Sequence, residues 1–393
     1  MELTRRHLLC GCAATALTGC VSQGGGGARI KAGYAPSLDS AEGGLWEIFN
    51  KAEADLKFSP LRMTDAELNR YVTDIACRLA GKHCTDMRVY LMRTPFFNAN
   101  MAPNGMMQVW SGLLLRCQNE AQLAAVLGHE IGHYLKRHSL QRFEQIRDSS
   151  SVAAFLGIAI AAAGGGALAN LPGLVALANI FAFSREQERE ADGVGLELMV
   201  NAGYEPTQAS EIWRGLIEER DAGLTAEERR DQSRQQDVFF ASHPAPADRA
   251  QALALQAAAY PGGKRVVGED RYLAQARAFR DTMMQDELRL HQYSRTLVII
   301  ERMKAANPGD ADPFYYEGEI YRTRNDGIDA GRAMNAYGRA LELDEAHGPT
   351  WRGIGILHRR AGKPEKAADA FRRYLELVPD AEDRLMIQSY VGA

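Results

Sequence analysis

Leu127-Gly128-His129-Glu130-Ile131-Gly132-His133 places two histidines and a glutamate in the order H-E-x-x-H. Residues four apart share one face of a helix, so His129 and His133 can point both imidazoles at one ion. The carboxylate of Glu130 sits where it can reach a metal-bound water. Such a set does hydrolytic chemistry: the ion polarises a carbonyl and acidifies its water, and Glu130 takes the proton. Two histidines leave a tetrahedral site incomplete, so a catalytic ion needs a third protein ligand, with water as the fourth. Arg185-Glu186-Gln187-Glu188-Arg189-Glu190-Ala191-Asp192 offers candidates. Glu188 and Asp192 share a helix face, so Glu188 can reach the ion while Asp192 accepts from the outer N–H of a ligand histidine. Glu190 lies about 200° around from Glu188 on an ideal helix and is the reserve ligand. Without the H-E-x-x-H, a solvated acidic face would be the better reading. His243 and Arg249, in Ser242-His243-Pro244-Ala245-Pro246-Ala247-Asp248-Arg249, are further catalytic candidates that could assist a developing oxyanion. The plainer reading of His243 is a turn histidine before proline.

These residues need elements to hold them. A helical run from Asn119 to His138 carries the motif. Before it, 88–92 and 105–110 have strand character, with 96–100 between them and a turn signal at Pro103-Asn104-Gly105. The pattern predicts a small antiparallel sheet, whose edge strand could pair with an extended peptide or serve packing alone. Residues 41–56 and 64–80 read as amphipathic helices, the second opened by the capping-box pattern Thr64-Asp65-Ala66-Glu67 and stopped at Gly81. A further helix covers 206–220, followed by a polar loop over 221–237. Residues 151–183 are strongly apolar but are broken by Gly164-Gly165-Gly166 and Pro172-Gly173. Each half is shorter than the roughly 20 residues of a membrane span. The segment reads as a helix pair packed over the cleft, with dipping into the bilayer surface as the competing reading.

At 393 residues, with 46% hydrophobic and 24% charged residues, the chain has the composition of a globular protein of two or more domains. A net charge of -4 with no dense basic stripe excludes a nucleic-acid footprint. Thr4-Arg5-Arg6-His7-Leu8-Leu9, the apolar 13–17 and Leu17-Thr18-Gly19-Cys20 read as a lipoprotein-type signal over 1–19 with lipid on Cys20. An ordinary secretory signal is the alternative. Residues 20–40, with Gly24 to Gly27, read as a flexible tether. Val21 rather than aspartate after the cysteine favours the outer membrane, and hence a periplasmic body. In that oxidising compartment Cys77 and Cys84 are close enough in sequence for a disulfide; buried free thiols are the other reading.

Residues 41–262 form the expected catalytic domain, and 263–393 change character. Phe314, Gly318 and Tyr321 match Trp351, Gly355 and His358, while Tyr337, Ala340 and Leu341 match Phe371, Tyr374 and Leu375. This is the tetratricopeptide pattern of stacked helix pairs, with a generic helical bundle as the alternative.

The motifs together, H-E-I-G-H, then Ser184-Arg185 leading into E-x-E-A-D, then H-P-x-x-x-x-R, resemble the zinc metalloprotease family of HtpX and the CAAX prenyl protease. The resemblance covers about 45–255, and the leader and repeats look most like its periplasmic, BepA-like branch. It implies a mainly α, gluzincin-type metalloprotease domain with one Zn2+ and Glu188 as third ligand. It implies that Asn98 and Ala99 lie by a substrate-binding edge strand. For His243 it implies a place near the zinc, contacting substrate or intermediate or occupying the open metal position. Implied substrates are proteins or peptides, among them misfolded or unassembled outer-membrane proteins. Implied partners are the outer-membrane protein assembly machinery, through the repeats, and the membrane, through the lipid anchor. Membrane-embedded relatives have spanning helices that this chain lacks. Two functions are therefore expected: an endopeptidase, or a chaperone or assembly adaptor with a largely silent site.

Overall fold

A computed structural model describes residues 29–146, 183–222, 243, 246–260 and 262–391. The leader, Cys20 and the apolar segment up to Ala182 lie outside the described residues, as does most of the 221–237 loop. Among the described residues no helix is long and apolar enough to cross a membrane.

The elements at the front of the chain follow from local signals. Helix α1, Ala41–Leu56, is capped by Ser40, whose side chain accepts from the Gly43 N–H. Helix α2, Ala66–Ala80, is capped by Asp65 accepting from Leu68, one residue later than the Thr64 box. It ends at Gly81, with φ of 56°, and continues as a 3-10 turn, Gly81–Asp86. Cys77 and Cys84 are joined across that turn, with Cα atoms 4.5 Å apart. The tether reading stops short of 40. Ile30 is buried and donates its N–H to the Leu135 carbonyl at 2.9 Å, and the Gly33 N–H bonds Asp86. The glycine run that argues for flexibility ends at Gly27.

Strands β1 (Arg88–Met92), β2 (Ala99–Met101) and β3 (Met106–Trp110) form a sheet in the order β1-β3-β2. The expected antiparallel pairing holds for β2 and β3, whereas β1 and β3 are parallel, so the sheet is mixed. The chain reverses twice, over 93–98 and at the Gly105 turn, so β3 returns in the direction of β1 and inserts between the other two.

Helix α3, Ser111–Arg116, leads into α4, Glu120–Leu135, capped by Asn119. Every residue of α4 except Ala125 is buried, which makes it the axis of the domain. The run predicted to reach His138 stops at Leu135. Arg137 adopts φ of 57°, and α5 starts afresh at His138 and runs to Ile146. Helix α6, Arg185–Asn201, opens with a complete capping box of Ser184 and Gln187. It lies close against α4 because the contact is lined by glycines. A Cβ on Gly132 would sit 2.8 Å from the Ala191 carbonyl, and one on Gly195 would sit 2.8 Å from the His129 nitrogen. Helix α7, Gln208–Asp221, packs on α4, and α8, Pro246–Ala258, packs on both α7 and α6.

The remaining helices are α9 (Glu269–Leu288), α10 (Tyr293–Ala306), α11 (Asp312–Arg324), α12 (Asp329–Leu343), α13 (Gly348–Arg360), α14 (Pro364–Leu377) and α15 (Arg384–Val391). Each consecutive pair packs as a hairpin in α11–α12 and α13–α14. A side chain at Gly318 would collide with the Tyr337 ring, and one at Gly355 with the Phe371 ring, so the matched repeat positions make matched contacts. The helical array is fastened to the front domain. The N–H groups of Glu120 and Ala121 bond carbonyls of Gly268 and Val267. Buried Arg116 on α3 pairs with Glu219 on α7 and Glu287 on α9, while Arg295 on α10 pairs with Glu287.

Candidate metal centre

Helix α4 presents His129 and His133 one turn apart, and α6 faces them with Glu188 across the glycine-lined contact. His129 Nε2 and His133 Nε2 are 3.0 Å apart. Glu188 Oε2 lies 3.5 Å from His129 Nε2, and Oε1 lies 3.3 Å from His133 Nε2. Tetrahedral metal bonds of about 2.0–2.1 Å separate ligand atoms by roughly 3.3 Å, so this donor set fits one small divalent ion. His243 joins them: its Nδ1 is 3.1 Å from Glu188 Oε2 and 3.3 Å from His129 Nε2. The ligand atoms of His129, His133, Glu188 and His243 all lie within 4.8 Å of one another.

Electrostatics suit metal binding. Burial drives His133 well below the ordinary imidazole range, and burial with the Arg249 charge lowers His129, so both rings are neutral donors. Burial would raise Glu188, but His243 and the two other histidines outweigh it and hold the carboxyl well down. Burial pushes Glu130 up to about 7, and its Oε1 has no hydrogen-bond partner among the described residues. Burial opposes charge on His243 too, yet the Glu188 carboxylate raises it on balance.

A pattern for peptidase family M48 matches residues 62–257, the stretch that contains all of these side chains. The chain belongs to peptidase family M48. It is similar to the beta-barrel assembly-enhancing protease of Escherichia coli (strain K12), with 26% identity over 357 residues, 81% of this chain and 70% of the relative. A putative beta-barrel assembly-enhancing protease of Vibrio cholerae is 30% identical over 224 residues, 55% of this chain and 44% of the relative. The mitochondrial metalloendopeptidase OMA1 of Schizosaccharomyces pombe is 32% identical over 152 residues, 37% of this chain and 43% of the relative. The chain thus spans less than half the length of the last two.

Around the metallopeptidase donors stands a second layer. Asp192 Oδ1 lies 2.9 Å from His129 Nδ1. Burial would raise this carboxyl, but Arg249 and His129 bring it down to about 2, so it accepts the Nδ1 proton and leaves Nε2 bare. Arg249 binds Asp192 through Nε and Nη2, reaches Glu188 at 2.9 Å through Nη1, and stacks on Trp213 at 3.9 Å. Glu190 turns away from the donor set toward Lys136 and His138. Asn98 and Ala99 stand at the start of β2, an outer strand of the sheet. The next residue but one, Met101, offers its backbone N–H to Glu130. Asn98 Oδ1 and Asn100 Nδ2 are buried with no hydrogen-bond partner among the described residues.

Sequence reasoning missed three neighbours. His138 Nδ1 is 2.9 Å from His133 Nδ1. Phe183 stacks on the His133 ring with centroids 4.0 Å apart. Trp213 supports Arg249 from α7. Only His138 left a signal, as a histidine five residues beyond the motif, and the expectation of an unbroken helix hid it.

Proposed function

We propose that the chain is a zinc-dependent endopeptidase of the bacterial cell envelope. It is anchored by lipid on Cys20, and it cleaves misfolded or unassembled outer-membrane proteins.

 

The observation that carries the reading is the convergence of two neutral imidazole nitrogens and one carboxylate within 3.0–3.5 Å, with buried Glu130 beside them. Zinc, when bound there, supplies a Lewis acid for the scissile carbonyl and an acidified water. The protein does the rest. Glu130, its carboxyl pushed up to about 7, accepts a proton at Oε1, which lies 3.7 Å from His243 Nε2 and receives no hydrogen bond from the described residues, and returns it to the leaving amine. Arg249 and His243 present positive charge where the oxyanion develops. Asp192 keeps His129 in the donor tautomer. The outer strand β2, with the unpaired polar atoms of Asn98 and Asn100, supplies main-chain and side-chain partners for an extended substrate. The helix pairs beyond residue 263 are the partner-binding surface, and the names of the bacterial relatives support outer-membrane protein assembly machinery as the partner. The test is cleavage of unfolded casein by the full chain, with metal analysis before and after chelation. Glu130→Gln should keep one zinc per chain and lose cleavage; full activity in that variant would sink the mechanism.

One observation favours a second reading. His243 lies at the fourth corner of the donor set, where a catalytic site keeps its water. On this reading the chain is an assembly adaptor or chaperone whose site is self-inhibited. Cleavage by His243→Ala well above the parent's rate would mark a gated enzyme. Intact biological function in Glu130→Gln would mark the adaptor.

A further inference from the structure

We propose that His138 and Glu190 form a positioning relay for His133, the counterpart of the one that Asp192 supplies to His129. The proposal rests on the metal-site reading above and adds two residues that touch neither ion nor substrate.

The relay begins at the break after α4. In a continuous helix, a residue five places on points about 140° away around the axis, so His138 would face elsewhere. Arg137 instead adopts φ of 57°, and α5 starts at His138 in a new direction. The His138 ring turns back, with Nδ1 2.9 Å from His133 Nδ1 and Nε2 3.2 Å from Glu190 Oε2. Arg137 is held in this conformation by the Glu42 carboxylate and by the face of Tyr34, 5.2 Å away.

The proton order follows from the contacts. Two ring nitrogens at hydrogen-bond distance share one proton. His133 Nε2 faces His129 and Glu188, so its lone pair belongs to the donor set and its proton sits at Nδ1. That N–H donates to His138 Nδ1. His138 Nε2 then carries the other hydrogen and donates to Glu190. The remaining Glu190 oxygen accepts from the Lys136 ammonium. Each ring N–H from His133 to Glu190 then meets an acceptor. The opposite order would put the His133 proton on Nε2 and remove a metal donor. Phe183, stacked on His133, fixes the plane of the ring. The three acids of one stretch of α6 thereby divide three duties: Glu188 faces the donor set, Asp192 orients His129, and Glu190 orients His133 through His138.

The test uses the full chain with His138→Phe, His138→Gln and Glu190→Gln. Zinc affinity is read by competition with a chromophoric chelator. The tautomer of His133 is read from long-range 15N–1H imidazole spectra of the metal-free protein. The parent should carry Nδ1–H on His133. His138→Phe should lose that tautomer and bind zinc about 10–100-fold more weakly. Glu190→Gln should lose less. The amide of His138→Gln can accept from His133 and donate to Glu190, so it should recover most of the affinity. Parent-like affinity in His138→Phe, or an equal loss in His138→Gln, would overturn the relay, as would Nε2–H on His133 in the parent. Glu190 is partly exposed, with 26% of its side chain accessible, so its variant keeps the fold and decides the matter if His138→Phe does not. A parent with Nδ1–H on His133 but no zinc affinity would refute the metalloprotease reading while leaving the relay standing.

Discussion

At the scale of single residues, the site depends on which nitrogen of each ring holds its proton. Asp192 sets this for His129, and it also takes the Arg249 guanidinium. Asp192→Asn keeps the volume but offers one acceptor oxygen and no charge to a buried arginine. Zinc affinity should fall about 10–100-fold, the usual effect of losing a residue that orients a ligand. Chelator competition checks it, and parent-like affinity would refute the role. The pairing of Glu188 with Asp192 was legible in the sequence, because four-residue spacing on a helix is a strong rule. The role of Glu190 was not, because its partner lies beyond a helix break that no glycine or proline announces.

Among elements, the contact of α4 with α6 decides whether the ligands meet. Gly132 and Gly195 let the two backbones approach, and a methyl group at Gly195 would press on the His129 nitrogen at 2.8 Å. Gly195→Ala should cost about 1–3 kcal/mol of stability through overpacking. It should also weaken zinc binding by parting Glu188 from the histidines. Denaturant unfolding and chelator competition read the two effects; unchanged values in both would show that the approach has slack. These helices and the places of the strands along the chain were legible from period and turn signals. The parallel pairing of β1 with β3 was not, since side-chain alternation says which face is buried but not which strand inserts between two others. Arg137 was hidden for a related reason: non-glycine residues in the left-handed region cost roughly 1–2 kcal/mol, so tertiary contacts, not local preference, put it there.

For the whole molecule, the ion network between the front domain and the helical array is the main seam. Glu287 is fully buried and receives Arg116 and Arg295. Burial alone would raise its carboxyl, but the two guanidinium groups hold it below the ordinary value. Glu287→Gln leaves two buried arginines short of a charge and should cost about 3–5 kcal/mol. The sign with pH follows. A lowered carboxyl stabilises the fold above its unfolded pKa of about 4.3, and that contribution is lost as pH falls through the folded value. The gap in melting temperature between parent and Glu287→Gln should therefore be full at pH 7 and shrink as the solution is acidified below that unfolded value. A gap that widens in acid would contradict the assignment. The two helix hairpins were legible from matched aromatic and glycine positions, whereas this seam was not, because its five charged residues are scattered from 116 to 302 with no local pattern.

The first described residues carry a mechanical consequence. Arg29 pairs with Glu197 on α6, and Ile30 bonds Leu135 at the end of α4. A pull on the chain ahead of them is therefore delivered to the two helices that carry the metal donors, before it reaches the sheet or the helical array. If the body hangs from a lipid on Cys20, tension between Cys20 and Arg29 loads His133 and Glu188 first, and a single-molecule force measurement should find metal release early along the unfolding trace.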